Sequence, residues 1–226
     1  MRTNKMLGSQ CIKKTLMQLD SKAIPSIAEL KLRAKALAML DAIIAPDWED
    51  RYYSYNQNWC AGEEMASMRN GSGDDWFILF FEFGAAIKGL DHESKIARNS
   101  ILSEEVQRQL PKSFSTFYKE PAFGMDWLSF CYWCEPTKGS WKKVIHPDTT
   151  YSETPDGSLE LLSLLYEPAS SYQEFASWYY ELEIPLELIE KIYSHHAITE
   201  QIVQVLNPEL SIVLAKEFAA EIGYPT

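Results

Sequence analysis

The triplet Asp91-His92-Glu93 places an imidazole between two carboxylates, in a loop that follows a predicted strand. Imidazole and carboxylate together suit zinc or iron, and a metal-bound water is the usual nucleophile of a metal-dependent hydrolase. Successive side chains diverge in extended structure, so the triplet needs partners from elsewhere. The Asp74-Asp75 loop is the obvious source. The preferred alternative is structural: the aspartate caps a turn and His92 is hydrogen-bonded. Asn70-Gly-Ser-Gly-Asp-Asp75 has the glycines of a backbone anion nest. It lacks the phosphate-loop pattern, runs from strand to strand, and carries two carboxylates that repel phosphate, so a plain hairpin loop is favoured. Cys131-Tyr-Trp-Cys134 has CxxC spacing but lies in an aromatic run that reads as a strand, where residues three apart face opposite ways. With no second CxxC, buried structural thiols are the reading. His195-His196 diverge by about 100° on a helix and cannot chelate one ion together. No GxSxG, HExxH, EF-hand or Walker pattern occurs in the chain.

The elements that must position these residues follow from periodicity. Pro25 is predicted to open a helix in which Ile27, Leu30, Ala34, Leu37, Leu40 and Ile44 form one apolar face, and Pro46 closes it. That face is expected to lie on a sheet. Strands are predicted over 51–59, 64–69, 76–82, 85–90 and 127–134, with turns at Asn70–Asp75 and Glu82–Gly84. The run Trp76-Phe-Ile-Leu-Phe-Phe81 is apolar at every position, as in a strand covered on both sides. Ser103 is predicted to begin a short helix that Pro111 interrupts, with Phe114–Tyr118 continuing it. Residues 141–157 are rich in turn formers. Beyond them the pattern becomes helical: a Ser171/Glu174 capping box precedes the stripe Phe175, Trp178, Tyr179 and Leu182, Pro185 starts a second helix, and Ile198, Ile202, Val205 and Leu206 mark a third. Asn207-Pro208 is predicted to begin a fourth helix with Leu210, Val213, Leu214 and Phe218 buried and Gly223 as its C-cap. The expected fold class is α+β: an antiparallel meander sheet with an N-terminal helix packed on it and a C-terminal helical region. Residues 1–226 read as a single domain that admits a subdivision into a body over 23–150 and an acidic helical region over 151–226.

Charge is the most informative feature of the composition. The chain of 226 residues has a formal net charge of −11, and residues 151–226 account for all of it, with 13 acids against the two bases Lys191 and Lys216. Such a surface repels nucleic acid and anionic membrane and speeds encounter with a basic partner. A hydrophobic content of 46% fits a folded chain, no stretch approaches the roughly 18 apolar residues of a membrane span, and polar residues break the N-terminal apolar stretches before a signal h-region can form. A cytoplasmic location is the expectation, consistent with thiols in a reducing compartment.

The block Met65-Ala-Ser-Met-Arg-Asn-Gly-Ser-Gly-Asp-Asp-Trp-Phe-Ile-Leu-Phe-Phe81, continuing through Gly84 to Ser94, resembles a family of bacterial proteins to which no activity is assigned. Pro111–Phe123 and Phe130-Cys-Tyr-Trp133 are similar to the same family, so the resemblance covers about half of the chain. It implies no catalytic role. In general character the chain is also similar to acidic immunity proteins encoded beside bacterial toxins, an analogy of style and not of motif.

The leading expectation is a cytoplasmic, non-enzymatic interaction protein, immunity-like, that binds a basic protein partner through the acidic helical surface, with no nucleic acid and no membrane as partners. The alternative is a metal-dependent hydrolase with a site around Asp91-His92-Glu93. No complete catalytic constellation is present, so no catalytic residue, metal ligand or cofactor is assigned. The candidate binding positions are Asn70, Asp74, Asp75, Asp91, His92, Glu93, Glu187, Glu190 and Glu200.

Overall fold

Short turns between consecutive apolar runs favour nearest-neighbour pairing, and six strands pair in chain order, each antiparallel to the next. The computed structural model describes residues 18–98, 100–136 and 139–226. The strands are β1 (Tyr53–Cys60), β2 (Glu63–Arg69), β3 (Asp75–Phe81), β4 (Gly84–Leu90), β5 (Phe130–Cys134) and β6 (Lys142–Lys143). The pleat sends Trp76, Ile78 and Phe80 of β3 to one face, where they join Ala66, Met68, Ala85 and Ile87 in one core cluster. Leu79 and Phe81 point the other way and join Met65, Ala86, Cys131 and Trp133 in a second. Both faces of the central strand are covered, as its unbroken apolar run requires. Gly89 is needed where it stands, because a Cβ there would lie 1.9 Å from the ring of Phe130, its partner across β4 and β5.

The first face is covered by α1 (Ile27–Ile44), the short α4 (Ser158–Leu161) and the C-terminal helices, the second by α2 (Ile101–Gln109) and the segment around Phe114 and Phe117 that includes α3 (Ser115–Lys119). Two sequence expectations about α1 are corrected. Its cap is Ser26, in a capping box with Glu29, so Pro25 precedes the helix. Its second half is also not amphipathic: every residue from Ala36 to Ile43 is buried. The cause lies beyond the body of the sheet. β1 packs on one side of α1, while α6 (Leu186–Tyr193), α7 (Glu200–Leu206) and α8 (Ile212–Ile222) pack on others. Residues on both sides of the expected boundary at 141–157 therefore share one apolar cluster. That stretch also contains β6, which was expected as turns.

Several C-terminal expectations shift in register. The helix α5 (Ala169–Tyr179) starts after Pro168, which leaves Ser171 and Glu174 inside it and forms no capping box. Asn207 closes α7, and its side chain donates to the Ile43 carbonyl at 2.9 Å, while α8 begins only at Ile212, behind Ser211. The buried stripe of α8 is accordingly Ala215, Ala219 and Ile222, with Val213 exposed. Small alanines let α8 approach β1 and α1 closely. Gly223 ends α8 in the left-handed conformation, φ 71°, as its sequence position suggests. The strand expected from Trp127 begins at Phe130, and the helix expected near Ser103 begins at Ile101.

Candidate functional site

The hairpin geometry brings the start of β3 beside the end of β4, since Asp75 pairs with Leu90. Asp74 and His92, 18 residues apart in sequence, meet there. Asp74 Oδ1 accepts from the His92 backbone N–H at 2.9 Å and lies 2.7 Å from His92 Nδ1. Asn70 Nδ2 donates to Asp74 Oδ2 at 2.6 Å, and Asn70 Oδ1 accepts from the N–H groups of Ser72 and Asp74. Two of the loop amides that could have faced an anion, those of Ser72 and Asp74, are thus turned inward onto Asn70. Asp91 Oδ1 accepts from Glu93 N at 3.0 Å, and its own N–H donates to Ser129 Oγ at 2.9 Å.

These bonds set the electrostatics of the loops. Partial burial disfavours an ionised Asp74, but the hydrogen bonds from the His92 backbone, its ring and Asn70 outweigh that and hold the carboxyl below its ordinary value. The hydrogen bond to Asp74 raises the exposed His92 imidazole above its ordinary value. Asp74, Asp91 and His92 each offer a ligand atom, and these atoms lie within 4.8 Å of one another. The donor set suits a hard or borderline cation, although Asp74 and the His92 ring nitrogen nearest it already bond to each other. Glu93 is not a member of this group, and Asp75 pairs with Lys88. Gly157 anchors the arrangement from the C-terminal side: it adopts φ 79°, and a Cβ there would lie 2.4 Å from the Asp91 Cβ.

Asp75 lies on the second face of the sheet, where its carboxylate pairs with Lys88 at 2.5 Å. The lysine side chain is only 1% exposed, enclosed beside Phe77 and Cys131. Burial pushes the Lys88 ammonium down and the Asp75 carboxyl up, with their mutual attraction opposing both shifts. The Cys131 thiol is also raised by burial, which suppresses the reactive thiolate. Cys131 and Cys134 face opposite sides of the sheet, and Cys11 lies outside the described residues.

Glu187 and Glu190 project from the solvent side of α6 and Glu200 opens α7. All three are exposed, and none forms an ion pair among the described residues. They are far in sequence from the Asp74–His92 loops. His195 Nε2 donates to the Leu32 carbonyl, 2.8 Å away, and its ring stacks on Tyr224, while His196 Nδ1 donates to the Lys191 carbonyl.

Three polar groups escaped sequence reasoning. Asp41, wholly buried in α1, accepts hydrogen bonds from Tyr172 Oη, Tyr180 Oη and Tyr53 N. Asp156 pairs with Lys143 and accepts from Ser158, beside a cavity of about 280 Å³ that His146 and Tyr151 also line. Glu64 gathers Lys31, Lys35 and Tyr55, which hold its carboxyl down at about 2 against the opposing effect of burial. The only sequence signal for the first was a single carboxylate interrupting Ala36-Leu-Ala-Met-Leu-Asp-Ala-Ile-Ile44. No helix among the described residues is long and apolar enough to cross a membrane. No family model matches the chain, and neither curated proteins nor solved structures give a match.

Proposed function

We propose that this is a non-enzymatic interaction protein, immunity-like in character, that binds a basic protein partner through the acidic helical surface of residues 151–226. The observation that carries this reading is the state of its glutamates. Glu187, Glu190 and Glu200 are exposed on α6 and α7 without an ion pair among the described residues, so their field is directed at solvent and available to a partner. Polar clusters inside the fold point the same way, because Asp41, Asp75 and Asp156 are each occupied by internal donors. The test is kinetic. Association with a captured basic protein slows steeply as salt rises past the point where the screening length is about 8 Å, while dissociation changes less. Reversal of Glu187, Glu190 and Glu200 to lysine lowers the on-rate without unfolding the protein. Kinetics indifferent to salt and to these reversals reduce the acidic face to a solubilising surface.

A second reading, a metal-dependent hydrolase around Asp91-His92-Glu93, draws on the convergence of Asp74, Asp91 and His92. It stands second because Glu93 lies outside that group and the closest ligand atoms are engaged in turn hydrogen bonds. Metal analysis of protein purified without chelators separates the two: stoichiometric zinc or iron that is lost in His92→Ala promotes the hydrolase.

A further inference from the structure

Two members of the stripe Phe175, Trp178, Tyr179 and Leu182 stand in solvent at the end of α5. Trp178 is 78% exposed, and Tyr179 beside it is also exposed. These rings are the outer end of a continuous aromatic path: Trp178 lies 6.1 Å from Tyr179, and Tyr179 packs edge-on to Tyr52 at 5.0 Å. The backbone of Tyr52 bonds to that of Arg69, whose guanidinium lies 3.9 Å above the ring of Trp48, itself 54% exposed. The ridge therefore runs from the end of α5 across the β1–β2 edge to the turn that precedes β1.

Carboxylates stand near both of its ends. Asp47, Glu49 and Asp50 are the sequence neighbours of Trp48, and Glu174 lies one helical turn before Trp178 on the same side of α5. All four are exposed and none forms an ion pair among the described residues. Exposed indoles beside unpaired carboxylates form a surface complementary to a flat cation: the ring face attracts it, and the carboxylates accept its N–H groups. The Arg69–Trp48 stack is that interaction made within the chain, and it leaves the rest of the ridge open.

We propose that this ridge is where a basic protein segment docks, with arginine side chains stacked on Trp178 and on the outer face of Trp48 and hydrogen-bonded to Asp47, Glu49, Asp50 and Glu174. This rests on the reading of the protein as a binder of a basic partner and extends the contact beyond residues 151–226, to Trp48 and its acidic sequence neighbours. Arginine is favoured over lysine because a planar guanidinium stacks on indole and binds carboxylate in a fork, whereas an ammonium is a strongly hydrated point charge.

The experiment titrates the whole protein with an arginine-rich Gly/Ser peptide, with its lysine counterpart and with a neutral citrulline counterpart, following the assigned indole N–H resonances by NMR. Binding to an acidic protein alone decides nothing, so the variants carry the test. Trp178→Ala and Trp48→Ala are surface substitutions, and an unchanged circular dichroism spectrum verifies their fold. The expected result is that the arginine peptide shifts the Trp178 and Trp48 signals, binds more tightly than the lysine peptide, and weakens about tenfold in each variant. If the arginine peptide binds equally well to both variants but weakly to the Glu187→Lys, Glu190→Lys, Glu200→Lys protein, the ridge is not the docking site and the broader reading survives. Failure of the arginine peptide to bind, equal binding of the citrulline peptide, or self-association that Trp178→Ala abolishes each overturns the proposal.

Discussion

Replacing Asp41 by asparagine tests whether burial or hydrogen bonding governs a carboxyl wholly removed from solvent. Asp41 Oδ1 accepts from Tyr172 Oη at 2.6 Å, and Oδ2 accepts from Tyr53 N at 2.7 Å and Tyr180 Oη at 2.9 Å. Arg51 is close enough to be felt, yet its guanidinium donates to the carbonyls of Ala45 and Pro46 and makes no ion pair with Asp41. Burial therefore outweighs the three donors and pushes the carboxyl from 3.8 to about 6. A shift of that size corresponds to about 3 kcal/mol at 1.36 kcal/mol per unit. The sign follows from linkage. The folded state holds the proton more tightly than the unfolded chain, so the contribution is fullest below the unfolded value of 3.8, is lost as pH rises toward 6, and stays lost above it. Asparagine is neutral throughout, and any cost of its amide facing the Tyr53 N–H does not change with pH. Urea unfolding of both proteins between about pH 4 and pH 7 should show the wild type losing about 2 kcal/mol of that contribution relative to Asp41→Asn, with almost no further change above that range. A difference that is flat with pH, or a wild type that gains on the variant as pH rises, would mean that the donors hold the carboxylate ionised and that the argument from burial is wrong.

Truncating Phe80, which is buried in the first core cluster, to alanine is expected to cost about 3–5 kcal/mol, and an unchanged urea midpoint would place β3 at the periphery. Lys88→Ala leaves the half-buried Asp75 without its ammonium and is expected to destabilise by about 3–5 kcal/mol, whereas Lys88→Met together with Asp75→Asn, which removes both charges, should cost less; equal losses would show that the charge pair is not the issue. By NMR, His92 should titrate above its ordinary value of 6.5 in the wild type and return toward it in Asp74→Asn, and a midpoint unmoved by that substitution would contradict the Asp74–His92 bond.

Local physics made much of the sheet legible in the sequence. An apolar residue at every position of Trp76–Phe81 requires cover on both faces because side chains alternate, and the short turns at Asn70–Asp75 and Glu82–Gly84 leave antiparallel neighbours as the simplest pairing. Gly223 is readable as a cap for a similar reason, since its backbone conformation depends on a few adjacent residues. Helix starts were less legible because rival caps compete locally: Ser171 and Asn207 are sound N-cap residues, but packing selected Pro168 and Ser211. Periodicity also reveals that a helix has an apolar face without revealing whether anything covers it. It could not tell that α1 is enclosed on several sides, or that Trp178 and Val213 face solvent. The polar pairings were the least accessible of all. Asp41 meets Tyr172 and Tyr180 across 131 and 139 residues, and Asp74 and Asp75, adjacent in the chain, are sent by the pleat to different partners, His92 and Lys88. Hydrophobic pattern is a property of a segment and survives in the sequence alone, whereas the partner of a charged group is whatever the folded chain carries to within about 3 Å of it, and that is settled only in three dimensions.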